Sequence, residues 1–202
     1  MDSTATALAR VNSFARAVKP DLPAVDVALA AVRELLARSE LDYVLVGGLA
    51  VIHHGYVRAT RDIDLLVDRD ELARVETLLA SGGIERTSPK RLRHGATGVD
   101  VDLLFAGDPI PPRERARFPS PASVGRSARE HDVVDLPGLI ALKLQAGRHR
   151  DTADVVELLQ ALDEGDYLRV EAALAAELRP RLVELRDDAL EELRWRERDG
   201  GR

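Results

Sequence analysis

The sequence predicts a mixed α/β domain, with a small mixed sheet flanked by helices, followed by an all-helical C-terminal region. Three observations carry this. Short apolar runs of strand length (Tyr43 to Val46, Asp62 to Val67, Val99 to Phe105) alternate with helix-period segments as far as residue 136. From Pro137 onward every segment has helical spacing. Hydrophobic residues make up 45% of the 202 residues but aromatic ones only 3%, so the core must be built from Leu, Val and Ala.

Taken in order, residues 1–21 are polar and Ala-rich and are expected to form a flexible or loosely helical lead-in. Residues 22–136 form the α/β domain and 137–202 the helical region. Asp26 to Ser39 carries apolar residues at Val27, Leu29, Ala30, Val32, Leu35 and Leu36, a helical period. A strand over Tyr43 to Val46 stops at Gly47-Gly48, and a short helix over Leu49 to His54 follows. A second strand spans Asp62 to Val67. An amphipathic helix over Arg69 to Ser81 ends at Gly82-Gly83, since glycine readily takes the left-handed C-terminal position. Ile84 to Thr87 and Arg91 to His94 are further strands, and Val99 to Phe105 a stronger one. Gly107 to Arg117, rich in Pro and Arg, reads as a loop. Val133 to Leu136 is a last short strand. Helices are then expected over Gly138 to Ala146, Thr152 to Leu162, Tyr167 to Leu178 and Arg181 to Arg196.

Composition excludes several functions. The chain has no cysteine, which rules out disulfides, zinc–thiolate sites and cysteine nucleophiles. No window approaches the ~18 apolar residues of a membrane span, and Met1 to Lys19 lacks a signal-like apolar run, so a cytoplasmic location is expected. With 29 basic against 35 acidic residues the net charge is −6, so bulk charge does not predict nucleic-acid binding. The densest basic stretch, Arg113, Arg115, Arg117, Arg126 and Arg129, is either a solvated run or, beside a cleft, an RNA-binding edge.

Chemistry is concentrated in three segments. Gly47-Gly48 lies between a strand and a short helix, where glycines allow backbone N–H groups close to an anion; a plain tight turn has the same pattern. In Arg58-Ala-Thr60-Arg-Asp62-Ile-Asp64-Leu-Leu-Val, residues two apart on a strand share a face. Asp62 and Asp64 therefore project together while Ile63 and Leu65 enter the core. Adjacent carboxylates repel unless a cation lies between them, and hard oxygen ligands with open positions suit Mg2+. Gly98-Val-Asp100-Val-Asp102-Leu-Leu-Phe supplies a third acid, Asp100 or Asp102, by the same parity. His53 and His54 are adjacent and cannot both face one ion on a helix, so packing or a loop hydrogen bond is expected of them.

Gly47-Gly48, His54-Gly55, Arg58, Thr60, Asp62-Ile-Asp64 and a later Asp before two leucines resemble the polymerase-β-type nucleotidyltransferase superfamily over roughly residues 40–160. The nearest branch is the minimal or AbiEii-like bacterial nucleotidyltransferases, which include toxins of toxin–antitoxin pairs; aminoglycoside nucleotidyltransferases are a neighbour. Ala141-Leu-Lys143 through Arg148-His-Arg150-Asp151-Thr-Ala-Asp154 is similar to the basic-then-acidic helical stretch that follows their catalytic half. The resemblance implies a nucleotidyltransferase fold, with triphosphate held by Gly47, Gly48 and Lys143 and Arg58 and Thr60 bracing the loop or touching phosphate. It implies Mg2+ on Asp62, Asp64 and Asp102, with Asp102 as general base and Asp100 competing for that role. Leu49 stands where family members commonly carry Ser, which removes one phosphate contact. The expected substrates are an NTP and an acceptor hydroxyl, on RNA or protein in a toxin with an antitoxin partner, or on an aminoglycoside-type small molecule. A non-catalytic NTP-binding module is the remaining alternative.

Overall fold

The computed structural model describes residues 4, 6–10 and 24–199. The expected lead-in over 1–21 lies largely outside them. A five-stranded sheet has the order β1 (Tyr43–Leu45), β2 (Asp62–Val67), β5 (Asp100–Phe105), β4 (Arg91–His94), β3 (Ile84–Ser88). Only β2 and β5 are parallel; the other three pairings are antiparallel, so the sheet is mixed as predicted. β2 and β5 are the central pair. Their alternate residues Ile63, Leu65, Val101 and Leu103 are fully enclosed, which fixes the register, because a one-residue slip would send the aspartates into the core.

Helices α1 (Val25–Leu36) and α3 (Leu72–Ala80) pack beside the sheet, while α2 (Gly47–His53) leads from β1 towards β2. On α1 the buried residues Val25, Ala28, Leu29, Val32 and Leu36 follow the helical period. α3 is preceded by a 3-10 turn, Arg69–Glu71, and ends where Gly83 takes a left-handed φ of 74°. The C-terminal region holds α4 (Leu136–Ala146), α5 (His149–Gln160), α6 (Glu164–Ala173) and α7 (Arg179–Asp199). Asp135 caps α4 by accepting from the Gly138 N–H, Pro137 sits in its first turn, and left-handed Gly147 closes it. Ile140, Leu144, Val155, Leu159, Tyr167, Val170, Leu182 and Leu185 form a second apolar cluster, with Leu136 touching both this and the sheet core. Among the described residues no helix is long and apolar enough to cross a membrane.

Two expectations are corrected. Residues 107–117 are not simply a loop: β6 (Pro109–Ile110) and β7 (Arg113–Arg117) pair as an antiparallel hairpin. Pro109 is tolerated because an edge residue needs no ladder donor, and the hairpin is closed by Gly107 N–H to Phe118 O and Phe118 N–H to Asp108 O. Val133 to Leu136 forms no full strand. Val133 bridges Leu45, Val134 bridges Arg126, and Leu136 already belongs to α4.

Candidate active site

The parity argument for the aspartates is met by the strand register. Asp62 lies opposite Asp100 and Asp64 opposite Asp102 across the parallel β2–β5 pair. The four acids therefore occupy one sheet face, two by two. They do not all open on the same space. Asp62, Asp64 and Asp102 line a cleft of about 360 Å³ between the sheet and α4–α5, whereas Asp100 is absent from its wall. Asp100 is instead bound by Arg93, Nε to Oδ1 at 2.7 Å, and that hydrogen bond holds its carboxyl below the usual range.

Asp64 is the most perturbed acid. Burial first, then the charges of Asp62 and Asp102, push its carboxyl up from 3.8 to about 7, while Lys143 and the Gly48 N–H pull the other way. The diglycine explains how the backbone comes so close. Gly47 has φ +61°, and a Cβ there would stand 1.9 Å from Asp64 Oδ2; one on Gly48 would stand 2.5 Å from Thr60 Oγ1. The two glycines are thus the first residues of α2 rather than a loop before it, and they clear room for Asp64 and Thr60. Thr60 Oγ1 donates to Asp62 Oδ1 at 3.1 Å, steering one carboxylate beside the other.

The opposite wall is basic. Lys143 on α4 is buried, 2.6 Å from Asp154 and 3.4 Å from Asp151, both on α5. Asp154 also pairs with Arg58, Nε to Oδ1 at 2.7 Å, and Asp151 with Arg148, Nε to Oδ2 at 2.6 Å. The result is an alternating chain, Arg58–Asp154–Lys143–Asp151–Arg148, with every member in the cleft wall. All eight residues expected at the site line this cleft: Gly47, Gly48, Arg58, Thr60, Asp62, Asp64, Asp102 and Lys143. A loop over residues 107–117 does not foresee the apolar wall that Ile110 and Pro111 of the β6–β7 hairpin form with Phe118 just after it. Arg91 is missed as well, although Arg91 and Arg93 have the same two-residue spacing as Asp100 and Asp102.

The carboxylates suit a hard divalent cation. A raised, crowded Asp64 beside Asp62 is costly as a bare anion pair, and oxygen-only donors with open positions match Mg2+. Among the described residues, no three His, Cys, Asp or Glu side chains stand together closely enough to hold a metal as they lie. Asp102 is turned onto Arg91 instead. The histidines take the expected packing role. His53 bonds Thr4 Oγ1 and Ser127 Oγ, both at 2.6 Å, and burial, then His54, lowers it to about 4; His54 Nε2 meets Val134 O.

The aminoglycoside-2''-adenylyltransferase family model matches residues 28–106, the segment that carries the diglycine turn and all three cleft aspartates. No curated protein matches the chain in sequence. Among solved structures, the chain resembles ANT(2'')-Ia in complex with adenylyl-2''-tobramycin, with TM-score 0.49 and 14% identity over 78% of this chain and 96% of that one. It also resembles a candidate nucleotidyltransferase from Thermotoga maritima, with TM-score 0.42 and 17% identity over 67% of this chain and 92% of that one. The segment that sets two glycines and the aspartates on neighbouring strands is thus similar to that adenylyltransferase family.

Proposed function

We propose that the protein transfers a nucleoside monophosphate from an NTP to the hydroxyl of an acceptor RNA or protein, with Mg2+ held by Asp62, Asp64 and Asp102. The observation carrying this is the facing of three carboxylates by a fixed chain of cations across one cleft, a layout suited to a triphosphate on one side and its metal on the other. When bound, Mg2+ would neutralise triphosphate charge and acidify the attacking hydroxyl. Lys143 and Arg58, held by Asp154, and Arg148, held by Asp151, present preorganised positive charge to the phosphates. Asp102 takes the proton as the acceptor oxygen bonds the α-phosphorus in line, and the bond to the β-phosphate oxygen breaks to release pyrophosphate. The protein is read as cytoplasmic and, in the toxin reading, as the partner of an antitoxin.

A basic rim supports a polyanionic acceptor. Arg113, Arg115 and Arg117 alternate along exposed β7, and Arg150 lies in the cleft wall, donating to Ala59 O. None of the four forms an ion pair with an acid of the described residues. Arg126 and Arg129, from the same basic run, are instead committed to Tyr43 O, Asp42 and His53 O. A polycationic drug would meet repulsion at such a rim, whereas RNA phosphates would be attracted. The small-molecule reading keeps one observation of its own, the family model that the chain matches.

The test is transfer from each α-labelled NTP with Mg2+ to total RNA, to lysate protein or to a panel of aminoglycosides. Label in the RNA or protein pool, lost when Asp62 and Asp64 are both replaced by Ala, is the expected result. Label only on aminoglycosides would reverse the acceptor assignment, and label surviving the double substitution would end the site assignment. For an RNA acceptor, replacing Arg113, Arg115 and Arg117 together by Gln is expected to weaken RNA binding at least about tenfold. The salt dependence should flatten by about 2, from ~0.7 per lost phosphate contact, with NTP binding unchanged. An unaltered salt slope would remove the rim from the acceptor site.

A further inference from the structure

Arg91 stands on β4 directly opposite Asp102, as Arg93 stands opposite Asp100. Its guanidinium takes both oxygens of Asp102, Nε to Oδ1 at 2.5 Å and Nη2 to Oδ2 at 2.9 Å. The Arg93–Asp100 pair one step along is the same chemistry away from the cleft. Arg91 differs because its acid is one of the three carboxylates that face the cleft. In this arrangement a cation already occupies the third carboxylate, and it is a guanidinium.

We propose that Arg91 is a releasable clamp that competes with the divalent cation for Asp102, a proposal that rests on the three-carboxylate metal reading above. Three features suit release. Arg91 is about half exposed, its side chain at 47%, so leaving Asp102 takes it into water rather than into the core. An exposed pair of this kind shifts a competing equilibrium by about fivefold at most. A second acceptor is also within reach, because Arg91 Nη1 already lies 3.6 Å from Asp100 Oδ2, the oxygen that Arg93 does not take. Arg91 can therefore trade Asp102 for Asp100 with little movement. Lys143 on the opposite wall has no such freedom, being 6% exposed and fixed between two acids. Lys143 is thus held in place, while the cation on the carboxylate side is exchangeable. Until metal arrives, the clamp keeps the third acid neutralised and aimed along the sheet face.

The test is Mn2+ affinity, read from the paramagnetic signal of free Mn2+ in the presence of a non-hydrolysable NTP. Arg91→Gln is expected to bind Mn2+ about threefold or more tightly, the upper range of one exposed ion pair. Arg93→Gln, which loses an equivalent cross-strand pair, is expected to leave the affinity unchanged. Arg91→Gln combined with Asp102→Asn should bind no more tightly than Asp102→Asn alone. Unchanged or weaker binding in Arg91→Gln would overturn the clamp, and so would a gain that persists in the Asp102→Asn background or appears equally in Arg93→Gln. Mn2+ affinity left intact by Asp64→Asn would overturn the metal site itself, and the clamp with it.

Discussion

Asp64→Asn is expected to lower nucleotidyl transfer by about a thousandfold, the scale on which one preorganised charge-stabilising group acts, and yet to stabilise the metal-free protein at pH 8. Both effects come from one carboxylate. Burial, then Asp62 and Asp102, raises it to about 7 in the fold from the ordinary 3.8. A raised acid binds more protons folded than unfolded between about pH 4 and pH 7, so stability falls as pH rises through that window. Above pH 7 the whole cost is present, on the order of 2 kcal/mol after allowing for water in the cleft. An amide has the same shape and no charge, and its oxygen still accepts from the Gly48 N–H. Thermal unfolding in chelator should show Asp64→Asn melting above the parent at pH 8, with a smaller difference at pH 5. Saturating Mg2+ and NTP should erase or reverse the gap. A variant less stable than the parent at pH 8, or one that keeps its turnover, would contradict this account of Asp64.

Gly47 ties the same carboxylate to the backbone. Gly47→Ala would meet Asp64 Oδ2 at 1.9 Å in a left-handed conformation that alanine seldom adopts. Nothing local in the sequence distinguishes this from an anion-cradling glycine. The sequence pattern points to the diglycine's N–H groups, and the fold uses its missing Cβ atoms as well. The aspartates were more legible. Strand parity alone sets Asp62 with Asp64 and Asp100 with Asp102. Which of the later pair opens on the cleft depended on a partner strand, β4, whose arginines take Asp100 away and clamp Asp102. Such cross-strand facts have no sequence periodicity. The β6–β7 hairpin was hidden for a different reason: Pro and Arg dominate it, and its two-residue first strand is too short to alternate. The basic-then-acidic stretch on α4 and α5 showed its residue types at helical spacing, but only the packing of the two helices joins Lys143 to Asp151 and Asp154.

Lys143→Met is expected to have the largest effect on stability of any single change in the cleft, about 3 kcal/mol. Removing one partner from a buried ion pair leaves uncompensated charge and costs about 3–5 kcal/mol. The low end applies because Arg58 still faces Asp154 and Arg148 still faces Asp151. Arginine is no substitute. Its planar fork does not fit a site shaped for a compact ammonium between two acids, so Lys143→Arg should recover little. A double-mutant cycle with Asp154→Asn should return a coupling of roughly 1–3 kcal/mol, since the two atoms are 2.6 Å apart out of water. The consequence reaches across the cleft, because Lys143 is among the charges that lower Asp64. Without it the Asp64 carboxyl rises further, and both NTP and Mg2+ should bind more weakly at a temperature where the variant remains folded. Stability within about 0.5 kcal/mol of the parent, the spread of a neutral surface change, would show that the alternating chain does not depend on its central cation. A large loss of stability with NTP affinity untouched would make Lys143 a purely structural residue and leave Arg58 and Arg148 to meet the phosphates.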